Sequence, residues 1–216
     1  MNKPLLPGKS GKVFLVGAGP GDVELLTLKA ARLLAAADVV LVDDLAGNEV
    51  LVLCPQARVV HVGKRGGCTS TAQAFIEKLL VREAQAGHQV VRLKGGDVSL
   101  FGRASEEIAV LEAAGIEFEI VPGVTAGLAA AATVKSSLTH REHAHGVAFI
   151  TAHGAEGAEI PWQALAQSAL TLVVYMGVAR VASLQASLLE GGLAADTPVL
   201  AVENASRANA RTVCST

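Results

Sequence analysis

The chain has 216 residues, with 18 lysines and arginines against 20 aspartates and glutamates, a formal net charge of −2. That balance excludes a chain-wide pull toward a nucleic-acid backbone or an anionic membrane. A hydrophobic content of 51% with 18% charged residues excludes a disordered chain, and 3% aromatics leaves few rings to stack on bases.

Mean hydropathy is +0.44. Arg32, Asp38 and their like nevertheless break the apolar runs before ~18 residues, so no membrane-spanning helix is expected. The surplus is mostly Ala, Val and Leu, as buried parallel strands under helices require. Cys54, Cys68 and Cys214 stand alone without a C-x-x-C pair, which points to a reducing compartment and against a disulfide framework or a thiolate zinc site. Residues 1–12 lack the apolar core of a signal peptide, so a cytoplasmic location is expected.

In chain order, residues 13–16 read as a buried strand ending in Gly17-Ala18-Gly19-Pro20-Gly21-Asp22. The spacing of apolar residues predicts a helix over 25–37, followed by a strand at 39–42 halted by Asp43-Asp44. The alternation repeats with a strand at 59–62, a helix at 71–86 and a strand at 88–93 that ends in Lys94-Gly95-Gly96-Asp97. A helix over 103–114 is closed by Gly115, the expected left-handed cap. Val121-Pro122-Gly123 breaks the rhythm, and a small-residue helix at 125–133 follows. Strands are predicted at 147–151, 170–175 and 199–202, with a helix over 178–190 ending at Gly191-Gly192. Strand–helix alternation predicts an α/β protein with a mostly parallel sheet, divided into domains at 1–118 and 123–216 by a short linker at 119–122. Ligand sites in such sheets gather at the carboxyl ends of strands.

The first glycine loop reads G-x-G-x-G with Pro20 inside, which fails the G-x-G-x-x-G dinucleotide spacing and removes an N–H that a pyrophosphate would use. A rigid turn that lets a ligand approach the backbone closely is what remains. Gly95-Gly96-Asp97 offers a second bare stretch of main chain with a carboxylate suited to a ribose or an amine; the alternative is a turn closed by Asp97. Asp43 and Asp44, being adjacent, should face opposite ways, so that one can face a cleft while the other serves the turn; the alternative is a solvated loop carboxylate. His140, His143 and His145 lack the spacing of a helical zinc motif, so no metal is expected and Arg141 is read as serving an anion.

These stretches, taken in order, resemble the tetrapyrrole methyltransferases. The likeness runs through Val16-Gly17-Ala18-Gly19-Pro20-Gly21-Asp22 with Leu25-Leu26-Thr27-Leu28-Lys29-Ala30, then Val62-Gly63-Lys64-Arg65-Gly66. Val91-Arg92-Leu93-Lys94-Gly95-Gly96-Asp97 with Phe101-Gly102-Arg103, and Val121-Pro122-Gly123-Val124-Thr125-Ala126, continue it. Leu138-Thr139-His140-Arg141, Tyr175-Met176-Gly177 and Val202-Glu203-Asn204 complete it. The resemblance implies a two-domain fold of mostly parallel and mixed sheets flanked by helices, a homodimer, and S-adenosylmethionine held in a cleft between the domains. It implies cofactor contacts at Pro20, Gly95, Gly96, Asp97, Leu100, Thr125, Ala126, Met176 and Ala205, with Asp43 as proton acceptor and Lys64 as proton donor.

The implied reaction is methylation of uroporphyrinogen III at two pyrrole carbons to give precorrin-2, for sirohaem and cobalamin synthesis, with S-adenosylhomocysteine released. Two alternatives stand beside it: another precorrin methyltransferase of the same fold, and an impaired paralogue that binds cofactor or tetrapyrrole without turnover. A polycarboxylate substrate calls for cationic side chains, and Arg65, Arg103 and Arg141 lie in candidate loops. Nucleic acid and membrane are not expected partners. The chain departs from the family where Val98-Ser99 follow Asp97, where Lys135-Ser136-Ser137 precede Leu138, and where Ala205-Ser206 follow Asn204. It also stops at Thr216 where relatives continue through another strand and helix, which predicts a truncated second domain.

Overall fold

The computed structural model describes residues 11–63, 73–153 and 160–216. Two compact units divide the chain, 1–126 and 127–216.

In the first unit, β1 (Lys12–Gly17), β2 (Val39–Val42), β3 (Arg58–His61), β4 (Gln89–Lys94) and β5 (Phe118–Val121) form one sheet in the order β3-β2-β4-β1-β5. Every pairing in it is parallel. The helices α1 (Leu28–Ala36), α2 (Gln73–Gln85) and α3 (Ala104–Ala113) cover it. Alternation along the strands explains both layers. Phe14, Val16, Val40, Val42, Val91 and Leu93 pack with Ala30 and Leu34 of α1. Val13, Leu15, Val39, Leu41 and Val90 pack with Ile76, Leu79 and Leu80 of α2 and Leu111 of α3. All four residues of β2 are buried, as a central parallel strand covered on both faces demands.

The helix expected over 25–37 is split. Val23–Leu25 makes a 3-10 turn, Leu26 and Thr27 are extended, and the Thr27 hydroxyl accepts the Ala30 N–H at 3.1 Å to start α1 afresh. The stretch 119–122, read from sequence as a linker, runs instead through β5, and the chain divides after Ala126. Its apolar pattern is interrupted by Glu119, which at the edge of the sheet is ion-paired by Lys29 and by Lys12. A buried carboxylate, Glu83 on α2, ties the opposite edge. Burial alone would raise it, but hydrogen bonds from Arg82 and Arg58, with His88, hold it below the usual carboxylate range.

The second unit carries most of α4 (Ala126–Thr133), then β6 (Val147–Thr151), α5 (Trp162–Ala166), β7 (Thr171–Tyr175), α6 (Val181–Glu190), β8 (Val199–Glu203) and β9 (Arg211–Ser215). β6 and β7 pair in parallel, while β8 and β9 form an antiparallel pair. The helix expected from 178 opens with a 3-10 turn at Val178–Arg180 and becomes α-helical at Val181. Neither α5 nor β9 stands out in the sequence, since one is five residues long and the other is a polar run. Among the described residues no helix is long and apolar enough to cross a membrane.

The carboxyl ends of β1, β4 and β5 meet main chain to main chain. A methyl group at Gly17 would lie 2.7 Å from the Gly123 nitrogen and 2.7 Å from the Gly96 carbonyl oxygen, and one at Gly123 would strike that same oxygen. The nearest atoms at both points are backbone, so a clash there is not relieved by moving a flexible side chain. Gly123→Ala is therefore expected to cost about 1–3 kcal/mol through overpacking, read as a lower midpoint in thermal or urea unfolding. An unchanged midpoint would show that the strand ends have room to spare.

Candidate functional site

Parallel pairing of β1 and β4 sets the two glycine loops side by side, and the structure joins them. Gly19 N–H donates to the Gly96 carbonyl at 3.2 Å and Gly96 N–H returns to the Gly19 carbonyl at 2.7 Å. Ala18 N–H adds a bond to the Lys94 carbonyl at 2.7 Å. Gly96 has φ +68°, a left-handed conformation that side chains disfavour. The space beside its α-carbon is open, with the Thr125 α-carbon nearest at 3.9 Å from where a methyl group would sit. This is a bare, rigid ledge of backbone with room above it, and it meets the requirement for close approach of a ligand.

Asp97 has structural work within this ledge. Its Oδ2 accepts the Gly123 N–H at 2.9 Å and its Oδ1 the Ser99 N–H at 2.8 Å, so it pins the loop after β4 to the loop after β5. The turn reading made from sequence holds, and each oxygen keeps accepting capacity beyond these bonds. Leu100 closes the same turn onto the Asp97 carbonyl at 3.4 Å. Thr125 is buried beside Gly96, whereas Ala126 is exposed at the start of α4 and Pro20 is half-buried within the first loop. The first unit thus gathers Pro20, Gly95, Gly96, Asp97, Leu100 and Thr125 around the ends of β1, β4 and β5.

Asp43 lies one residue beyond β2, on the sheet face shared by Leu41 and Arg92, which are partners in register. Its side chain is 24% exposed and lies 3.6 Å from Arg92 Nη2. Asp44, by contrast, is exposed, so the adjacent pair does split between two environments. Lys64 and Arg65 lie outside the described residues. Arg103 sits at the entrance to α3 with φ +55°. Its fork is engaged by Glu106, with Nε to Oε1 at 2.7 Å and Nη2 to Oε2 at 2.6 Å. It is thereby a preset guanidinium that any incoming carboxylate must share with Glu106.

In the second unit Met176 follows β7 with φ +58° and is 53% exposed. Ala205 is buried between Asn204 and Ser206, both at positive φ, and Ser206 N–H reaches Thr133 Oγ1 at 3.4 Å. Arg141 is exposed in a tight turn closed by paired backbone bonds between His140 and Ala144 at 2.8 and 3.0 Å. It has no ion-pair partner among the described residues. His140, Glu142 and His143 in that turn bring potential metal-binding atoms within 4.8 Å of one another, all of them exposed.

The sequence reading missed a buried group behind Asp43, formed by Arg92, Lys94 and Glu107. The signal was present: two cations two residues apart in an otherwise apolar strand must share a face and require a buried anion.

The family profile of the tetrapyrrole (corrin/porphyrin) methylases matches residues 12–216. A uroporphyrinogen-III C-methyltransferase of Pseudomonas aeruginosa is 58% identical over 94% of this chain and 82% of its own. A siroheme synthase of Chromobacterium violaceum is 48% identical over 96% of this chain, which spans only 45% of that longer protein. Among solved structures, the uroporphyrin-III C-methyl transferase of Thermus thermophilus complexed with S-adenyl homocysteine superposes with a TM-score of 0.83 at 45% identity. That match covers 95% of this chain and 88% of the other. A cobalt precorrin-4 methyltransferase gives a TM-score of 0.85 at 29% identity, over 95% and 85% of the two chains. The profile match over residues 12–216 and these relatives show that the chain belongs to the tetrapyrrole methylase family.

Proposed function

We propose that the protein transfers methyl groups from S-adenosylmethionine to two pyrrole carbons of uroporphyrinogen III, giving precorrin-2. The observation that carries this reading is the hydrogen-bonded pair of glycine turns at Gly19 and Gly96, open above Gly96, at the end of the strand β4 that pairs with the strand leading to Asp43. When bound, S-adenosylmethionine supplies a methyl group already activated as a sulfonium. Orientation is therefore the main task left to the protein. The Gly96 ledge and Thr125 hold the donor without side chains in the way. Asp43, partly exposed and set beside buried cations, stabilises the positive charge that builds on the ring and accepts the proton that the ring then loses from a nitrogen or a bridging carbon. Arg141, exposed and unpaired among the described residues, receives a substrate carboxylate, and Arg103 shares its fork with a second.

The siroheme synthase relatives support sirohaem as one destination of the product, and the fold shared with a cobalt precorrin-4 methyltransferase supports cobalamin as another. Exposed Val199, Leu200 and Val213 on β8 and β9 support a homodimer. Cys54 and Cys214, both free thiols, support a cytoplasmic location.

Incubation with S-adenosylmethionine and uroporphyrinogen III is expected to yield a dimethylated product and S-adenosylhomocysteine. Tight binding of S-adenosylhomocysteine without turnover would instead indicate an impaired relative. Asp43→Asn is expected to lower kcat by about 10²–10⁴-fold while S-adenosylhomocysteine still binds, as measured by calorimetry. Normal turnover by that variant would remove Asp43 from the mechanism. Gly96→Ala is expected to cost about 1–2 kcal/mol of stability through its positive φ, yet to weaken S-adenosylhomocysteine binding at least ~10-fold. Unaltered affinity in a folded Gly96→Ala protein would place the donor elsewhere.

A further inference from the structure

Period-two alternation puts Arg92 and Lys94 on the α3 side of β4, and α3 delivers Glu107 to the same place. The three side chains are 4%, 5% and 0% exposed. Glu107 takes Arg92 Nε on Oε1 at 2.9 Å and Lys94 Nζ on Oε2 at 3.0 Å. Gln73 Nε2 also reaches Oε1, at 3.5 Å. Arg92 Nη1 is directed to the carbonyls of Leu41 and Leu93 at 3.4 and 3.3 Å. Burial pushes Lys94 below the usual lysine range, and Arg92's charge does so too, against the pull of Glu107.

Two cations face two carboxylates, yet the carboxylates are served unequally. Glu107 holds both close contacts. Asp43 receives only Arg92 Nη2, at 3.6 Å from Oδ2, which is ion-pair range and beyond a hydrogen bond. Its other oxygen, Oδ1, is buried and has no hydrogen-bond partner among the described residues. A carboxylate gripped by a bidentate guanidinium makes a poor proton acceptor, because its lone pairs and charge are already taken.

We propose that Glu107 is a positioning residue for Asp43: by engaging Arg92 at Nε it holds the guanidinium off Asp43 and leaves Oδ2, the oxygen that is not buried, open to a proton. The methylated carbon already carries a carboxylate arm and holds no hydrogen, so the proton leaves a nitrogen or a bridging carbon of the cationic ring, its bonding pair neutralises the ring, and an O–H forms at Oδ2. This rests on the reading of Asp43 as proton acceptor. Without the charge of Glu107, Asp43 becomes the anion nearest to Arg92, and a rotation of the side chain converts their ion pair into a hydrogen-bonded fork.

Glu107→Gln is nearly isosteric and keeps a hydrogen-bonding side chain in the core. Turnover, KM for both substrates, calorimetric affinity for S-adenosylhomocysteine and thermal unfolding are measured for wild type, Glu107→Gln, Asp43→Asn and the double variant. Glu107→Gln is expected to lower kcat at least ~10-fold with cofactor affinity changed less than about threefold. In the Asp43→Asn background the same substitution is expected to change kcat by less than about threefold, since the group it positions is gone. An equal loss in both backgrounds, or no loss of kcat in the single variant, overturns the proposal and leaves Glu107 a packing residue. Full turnover by Asp43→Asn alone overturns the proton-acceptor reading and this proposal with it. Should Glu107→Gln fail to fold, Glu107→Asp keeps the charge but is too short to reach both cations, and the same comparison decides.

Discussion

Close approach of backbone to backbone at Gly17, Gly96 and Gly123 is the constraint on which this molecule is built. Parallel strands end in loops that must each satisfy their own N–H and C=O groups. Here the loops after β1, β4 and β5 satisfy one another, through Gly19 with Gly96 and through Asp97 with Gly123. The packing of Gly17 and Gly123 against the Gly96 carbonyl leaves no room for a side chain on the inner face. On the outer face the left-handed turn at Gly96 leaves space. A close inner joint and an open outer ledge are two consequences of one arrangement of the same glycines.

Behind that ledge the sheet carries charge where hydrophobic residues would be expected. Desolvating a lysine, an arginine and a glutamate is costly unless they meet in good geometry, and replacing such a group by apolar residues often stabilises a protein. Its position explains its presence. Arg92 and Lys94 occupy the last turns of alternation before the Gly95-Gly96 loop, so they bring fixed positive charge close to Asp43 without exposing it to solvent. A water-poor setting strengthens each of these interactions.

Much of the first unit was legible in the residues themselves. Val13, Phe14, Leu15 and Val16, and the Val39–Val42 strand, are apolar runs too short for a helix and bounded by turn residues, so their strand identity follows from pattern alone. The failed dinucleotide spacing around Pro20 also carried real information, since the loop turns out to bond with a neighbouring loop. β5 was hidden because Glu119, a charge inside a short strand, looks like loop until Lys12 and Lys29 are seen beside it. Thr27 was read as a polar interruption although it is the cap that restarts the chain as α1. The site residues were legible only in part. Alternation places Asp43 on one face, but it cannot say that Glu107, distant in sequence, competes for the same arginine.

The most direct measurement of whether the glycine ledge carries the donor is a titration of the isotope-labelled protein with S-adenosylhomocysteine, followed by amide nuclear magnetic resonance. If the ledge is the binding surface, the amide signals of Gly95, Gly96 and Thr125 shift together and saturate with the affinity found by calorimetry. Saturable binding that leaves those amides unmoved, and perturbs others instead, would contradict it.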